Sequence, residues 1–536
     1  MRYLLACLAF VACDSSNEGP RDIVTDTADT GESLDTAPDL APDSGQALPD
    51  TGEALADTGG ALDDTGEALT DSSQDVPDTA SDADITPPAA PSIYLTIAAV
   101  PPEMNGSRPA FIPAGDLPFR LRANRERVDL DVIALADSGP FALADLALEC
   151  TANGQPHALP AATEAAAGHL HVAIDAAHAF PDGADILCTA TISTAAGTTT
   201  STYTFDAATL PPKLDPFPST DIWLVLTRRD TWALEVTPLP DGTTQLLSKY
   251  TPQGDGIDDF DAPFYEVGLM PTSDPAAAAL IRAHLIERVR AIVNGIYGLD
   301  GAGRPTPGGV DLRLYFEGDA GAPSPADFGD PSQRFSMIAL TGDGAPDDQL
   351  GGTFGRALID WNNQDVEDDT VYGLGIWPAA IVRTILKNPA GALLLGECRP
   401  SLGGIPFGAA VGDSYFIGRD VDPNTVPNDY AGRATRYNLL MQFGSLAIAA
   451  ILSHEVGHSL GLVPFGPPPE GLFAGVQTDW VVSLAPDAHI DIAGLNVMQT
   501  GASVNWAEAI SGALPVFEPL SWAYLTRQLV VGPPGR

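Results

Sequence analysis

The sequence predicts a multidomain chain: a disordered acidic tether, then a β-sandwich, then an α/β (α+β) domain. Three observations carry this. At 536 residues the chain exceeds what one hydrophobic core organises. Its composition changes near residue 90, from Asp, Thr, Ala, Gly, Pro and Ser to sequence with regular apolar residues. After that change short strand-like segments come first, and helical segments interleave with strands only beyond about residue 211.

The N-terminus sets the expected compartment. Met1-Arg2-Tyr3 is a short positive start, and Leu4 to Ala12 is an apolar run too short to cross a bilayer, as in a secretory signal peptide. The run ends Phe10-Val11-Ala12-Cys13, which resembles a bacterial lipobox with Phe10 in the place usual for Leu. The resemblance implies that residues 1–12 are removed and that Cys13 carries a lipid. The chain is then held at the bacterial cell envelope or cell surface by that lipid, and no other stretch is expected to reach a membrane-spanning length.

Residues 13–90 form the tether. Between Asp43 and Asp71 a seven-residue repeat runs, as in Asp50-Thr51-Gly52-Glu53-Ala54-Leu55-Ala56. One large apolar residue per repeat and a helix-weakening Gly argue against a coiled coil. Self-repulsion of the carboxylates favours an extended linker. The whole chain carries a net charge of −45. That field repels phosphate backbones, so no nucleic-acid partner is expected, while cations are welcome.

Residues 91–210 are the expected sandwich. Ser92–Ile97, Phe119–Ala123, Asp145–Cys150, Ile186–Ile192 and Thr198–Phe205 read as short strands separated by turn residues. Cys150 and Cys188 fall on two of them and are expected to pair in an oxidising compartment. Their spacing suits an immunoglobulin-like bridge between sheets, so the sandwich is expected to be immunoglobulin-like. No catalytic cluster lies here, which points to a spacer or binding module. Cys398 is left over, either as a buried free thiol or as an inhibitory zinc ligand.

Residues 211–536 mix element types. Asp221–Leu226, Val310–Phe316, Phe335–Leu340 and Tyr415–Ile417 read as strands. Pro275–Tyr297 has helical apolar spacing, Trp377–Leu386 is a second helix, and a long apolar helix is expected from about Ala434 to Leu462.

That last helix carries His454-Glu455-Val456-Gly457-His458. Two histidines four residues apart share one helix face, a turn apart, and can grip one Zn²⁺. Glu455 lies on the adjoining edge, placed to take a proton from water activated by the metal. Glu455 is dispensable for holding zinc but not for hydrolysis, so its presence favours an enzyme.

His454 to Gly461 reads His-Glu-Val-Gly-His-Ser-Leu-Gly, which resembles the metzincin metalloproteases over the first eight positions of their HExxHxxGxxH pattern. Pro464 then stands where a third His would be, and proline cannot bind zinc. Asn496-Val497-Met498 resembles the metzincin Met-turn, which places a methionine beneath the metal. His489 lies nine residues before Met498, and leishmanolysin-like enzymes carry an insertion before a third His close to that turn. The resemblance implies zinc ligands His454, His458 and His489, a Met498 floor, Glu455 as catalytic base, and a metzincin-like domain over 211–536. Rival third ligands are Glu508 and, nearby, Asp479, Asp487 and Asp491.

A second cation loop is expected at Gly254–Asp261, where Asp255, Asp258, Asp259 and Asp261 could hold Ca²⁺; a solvated acidic loop is the alternative. Asp365, Glu367, Asp368 and Asp369 form another acidic group, expected at the surface. The expected activity is a zinc metalloendopeptidase acting on protein or peptide substrates outside the cell, as a monomer. The alternative is an adhesion lipoprotein with an inactive zincin scaffold.

Overall fold

The computed structural model describes residues 91–530 except 99–113, 117–119, 125–126, 136–140, 196, 211, 213–214, 239–243, 342–353, 359, 361–362, 372, 388–394, 463–483, 486–488, 491–494 and 500–513. The signal segment, the Cys13 anchor and the tether lie outside the described residues.

The N-terminal part is built from ten strands: β1 (Ser92–Ile97), β2 (Gly115–Asp116), β3 (Arg120–Arg122), β4 (Val128–Leu135), β5 (Leu146–Ala152), β6 (Gln155–His157), β7 (Thr163–Ala166), β8 (His169–Ile174), β9 (Asp185–Thr194) and β10 (Gly197–Ala208). One sheet runs β1-β4-β8-β7; β3-β10-β9-β5-β6 belong to another. Alternation drives the layering. Ile93, Leu95 and Ile97 of β1, Leu130 and Val132 of β4 and Leu170 and Val172 of β8 share one core with Ile186, Cys188, Ala190 and Ile192 of β9. The Tyr203 hydroxyl of β10 crosses that core to accept the Leu95 N–H at 2.9 Å.

Cys150 and Cys188 form a disulfide. They are directly paired residues of neighbouring antiparallel strands β5 and β9, with Cα atoms 4.1 Å apart. The bridge therefore lies within one sheet rather than between two sheets. Equal spacing in sequence serves either arrangement, and only strand order decides.

The second half opens with β11 (Asp221–Leu226), followed by the hairpin β12 (Trp232–Pro238) and β13 (Thr244–Tyr250). Helices α1 (Ala262–Glu266) and α2 (Pro275–Tyr297) come next. The bounds of α2 follow from its ends. The Asp274 carboxylate accepts the Ala276 and Ala277 N–H groups, Pro275 takes the first position, and Gly298 closes the helix at φ 66°. Then follow β14 (Leu312–Phe316), β15 (Ser336–Ala339), β16 (Gly355–Arg356), β17 (Asp368–Asp369), β18 (Gly375–Ile376) and helix α3 (Pro378–Lys387). Strands β14-β11-β15-β17 form a parallel sheet, and β16 pairs antiparallel with β18. The expected strand Tyr415–Ile417 is instead a 3-10 turn over Asp413–Tyr415, drawn tight by the Asp413 carboxylate, which accepts the Gly408 and Ala410 N–H groups.

Helix α4 (Asn428–Ser459) starts six residues earlier than its apolar pattern suggests, directly after Pro427. It is long and apolar enough to cross a bilayer by length and composition, contrary to the expectation of no such stretch, but 72% of its apolar window is buried inside the fold. Leu285, Tyr297, Leu452 and Val456 meet in the core between α2 and α4, and the Tyr297 hydroxyl donates to the Ser453 carbonyl at 2.7 Å. After β19 (Leu484–Ala485) and β20 (His489–Ile490), helix α5 (Pro519–Leu525) leads to β21 (Leu529–Val530). That last strand pairs with β3, so the C-terminal segment completes a sheet begun by the first strands. Gln528 seals the joint: its side chain accepts the Asp129 N–H at 2.7 Å and donates to the Asp129 carboxylate at 3.1 Å.

Candidate metal centre

The site is built at the C-terminal end of α4. Leu462 N–H bonds to Gly457 O and Gly461 N–H to His458 O, with Gly461 at φ 93°. This is the glycine-closed helix end in which a left-handed residue satisfies the last carbonyls. It gives the Gly461 of the motif a physical reason. The same turn swings the Leu462 carbonyl back over His458, whose Nδ1 lies 3.1 Å from it. His454 Nδ1 lies 2.7 Å from the Val497 carbonyl.

The carbonyls fix both tautomers. A carbonyl only accepts, so each Nδ1 carries the proton and each Nε2 presents a lone pair. Those two Nε2 atoms face one another at 3.0 Å, on rings nearly perpendicular at 87°. Two lone pairs at that distance repel unless a cation sits between them. Two nitrogens bound to one tetrahedral zinc lie about 3.3 Å apart. The donor set, its separation and the backbone carbonyls behind each ring all fit a zinc ion. Among the described residues, His454, Glu455 and His458 are the group whose ligand atoms converge, within 4.8 Å of one another.

Glu455 is buried. Burial first, and then the charge of Asp369, push its carboxyl well above the usual carboxylate range; Arg356 and the Ala357 N–H act against this. Gly355 of β16 makes room for it. A Cβ there would stand 2.8 Å from Glu455 Oε1 and 3.0 Å from Ile451 Cγ2.

Beneath the helix lies Met498, fully buried. Its turn is held by Asn496, whose Oδ1 accepts the Met498 N–H at 3.0 Å, while Gln499 Oε1 accepts the Asn496 N–H at 3.1 Å. A Cβ on Gly457 would stand 2.7 Å from Met498 Sδ, so the first glycine of the motif is needed for this close approach. His489 lies in β20, paired through Ala485 with β19, and its side chain lies outside what is described. Asp479, Asp487, Asp491 and Glu508 also lie outside the described residues.

No protein-family model matches this chain, and no curated protein matches it by sequence.

The carboxylates expected to hold calcium are engaged otherwise. Asp258 and Asp261 both pair with Arg282. Asp259 accepts from the Thr231 and Trp232 N–H groups and from the Thr231 and Thr341 hydroxyls, and Asp255 accepts the Ile257 N–H. Protein donors thus engage these carboxylates in the fold. Cys398 is a buried free thiol. It donates to the Val267 and Leu395 carbonyls at 3.3 Å, and burial pushes its thiol up to about 11.

One member of the supposed surface acidic group is a correction of consequence. Asp369 is fully buried, 2.8 Å from the Ser459 hydroxyl and 3.0 Å from the Leu358 N–H. Burial pushes its carboxyl up to about 7. Two-residue β17 is too short to show an alternating pattern, so nothing in the sequence marked Asp369 as interior.

Proposed function

We propose that this chain is an extracytoplasmic zinc-dependent metalloendopeptidase. The observation that carries the reading is the pair of facing Nε2 atoms, each imidazole oriented by a backbone carbonyl, with buried Glu455 between them in sequence. His454 and His458 would hold the zinc, with His489 as third ligand and Met498 as the apolar floor. Residues 211–536 are then a metzincin-like zincin domain, and 91–210 an immunoglobulin-like sandwich acting as spacer.

When bound, zinc supplies Lewis-acid chemistry, acidifying water and polarising a peptide carbonyl. The chain's own residues do the rest. The Glu455 carboxylate takes a proton from the attacking water and returns it to the departing amine, so that one water and one peptide bond become an acid and an amine. Burial gives it a higher affinity for that proton than an ordinary exposed Glu has. Gly355 leaves the carboxylate its space, and the Val497 carbonyl orients His454. Retention at a bacterial envelope through a lipid on Cys13 completes the proposal.

The test is zinc content and casein cleavage for wild type and Glu455→Gln. Equal zinc in both, with cleavage lost in the variant, supports the enzyme. Zinc binding without cleavage of any protein or peptide, unaffected by the substitution, returns the reading to a surface binding lipoprotein.

A further inference from the structure

Glu455 does not stand on the helix alone, since the segment after β16 meets it from the side. Gly355 lies against its side chain, where a Cβ would stand 2.8 Å from Oε1, and the Ala357 N–H favours the charged carboxylate. The next residue, Leu358, is secured through both of its backbone groups. Its N–H donates to Asp369 Oδ1 at 3.0 Å, and its carbonyl lies 2.9 Å from the Ser459 hydroxyl. Ser459 in turn lies 2.8 Å from Asp369 Oδ2. Both Asp369 and Ser459 are fully buried, and Ser459 directly follows His458. One carboxyl thus ties three elements: the sheet through β17, the segment 355–358, and the end of the metal-binding helix.

We propose that Asp369 is a positioning residue for the reaction, fixing the 355–358 segment against α4 so that the segment packed on Glu455 holds it in its working orientation. This deepens the peptidase reading and rests on it. The contacts are local to the base. Asp369 bonds to Leu358 and Ser459, so its loss should move Glu455 and leave the metal in place. A simple stabilising contact would be indifferent to which backbone groups it secures. This one closes on both groups of the residue beside Ala357.

The experiment compares Asp369→Ala, Asp369→Asn and Ser459→Ala in the full chain. Three quantities are measured: zinc content, kcat and KM on a peptide substrate, and amide hydrogen exchange of the 355–358 segment. Asparagine keeps an oxygen for the Leu358 N–H and sets an N–H against Ser459 Oγ, whose own proton then serves Leu358 O. The expected result for Asp369→Ala is unchanged zinc, faster exchange at 357 and 358, and kcat down roughly 10–100-fold with KM little altered. Asp369→Asn should restore most of kcat and of the protection. Ser459→Ala, the variant safest for folding, should show the same pattern in weaker form. Wild-type kcat and unchanged exchange in folded Asp369→Ala or Ser459→Ala would overturn the proposal, as would a kcat loss that Asn fails to restore. If the wild type cleaves nothing, the peptidase reading fails, while the exchange data still decide whether Asp369 secures the segment.

Discussion

Replacing Gly457 by alanine sets two effects of known size against each other. In an exposed helix the change stabilises by about 1 kcal/mol, because glycine loses more backbone freedom on folding. Here the added Cβ would lie 2.7 Å from Met498 Sδ, well inside contact distance, and Met498 is fully buried in a close-packed interior. Overpacking a core of this kind costs about 1–3 kcal/mol. The sum is a loss of roughly 0–2 kcal/mol, where a solvent-facing helix would show a gain. The displacement also has a direction. Val497, the neighbour of Met498, supplies the carbonyl that orients His454, so zinc affinity should fall with stability. Urea unfolding of the zinc-free protein and chelator competition for the metal measure the two effects separately. A double-mutant cycle with Met498→Ala assigns the clash, since Gly457→Ala should become stabilising once the thioether is gone. A Gly457→Ala protein more stable by about 1 kcal/mol with wild-type zinc affinity would refute the packing of Met498 under this helix.

Further outcomes follow from the same geometry. Removing the disulfide by Cys150→Ala with Cys188→Ala opens a loop of 38 residues, and the chain-entropy argument gives about 4 kcal/mol of lost stability, measured by denaturant unfolding against wild type. His171 is raised above its usual pKa, chiefly by its hydrogen bond to buried Asp131. A raised folded value means that its stabilising effect is complete below about pH 6.5 and is lost as pH rises through the folded value. His171→Asn should therefore lower Tm at pH 6 and do little at pH 9, and equal losses at both would contradict the pairing. Cys398, with its thiol pushed up to about 11 and buried, should resist iodoacetamide at pH 8 in the native protein and react after unfolding, as followed by mass spectrometry.

Much of this architecture could be read locally because it is specified locally. Helix α2 matched its expected bounds since Asp274, Pro275 and Gly298 are stop and start signals independent of tertiary context. The start of α4 was misplaced because its first turns, from Asn428, present polar residues, and Pro427 rather than an apolar period marks the boundary. The convergent pair His454 and His458 was legible because one helix supplies both histidines. The surroundings of Glu455 were not. Gly355 and Ala357 arrive on one segment and Asp369 on another, about a hundred residues upstream and each too short to show a period. The pairing of Leu529–Val530 with β3 was equally hidden, since strand partners four hundred residues apart leave no local trace. The partners of the acidic loop at 255–261 were hidden for a related reason: composition shows the carboxylates, but not the Arg282 and the backbone N–H groups that fold in against them.

The most direct test of the central claim is zinc-edge X-ray absorption on the purified wild type and on His489→Ala. The account predicts one zinc per chain with three nitrogen ligands at about 2.0–2.1 Å plus an oxygen, and loss of most bound zinc when His489 is removed. A sulfur ligand, the absence of zinc, or full zinc retention in His489→Ala would contradict it.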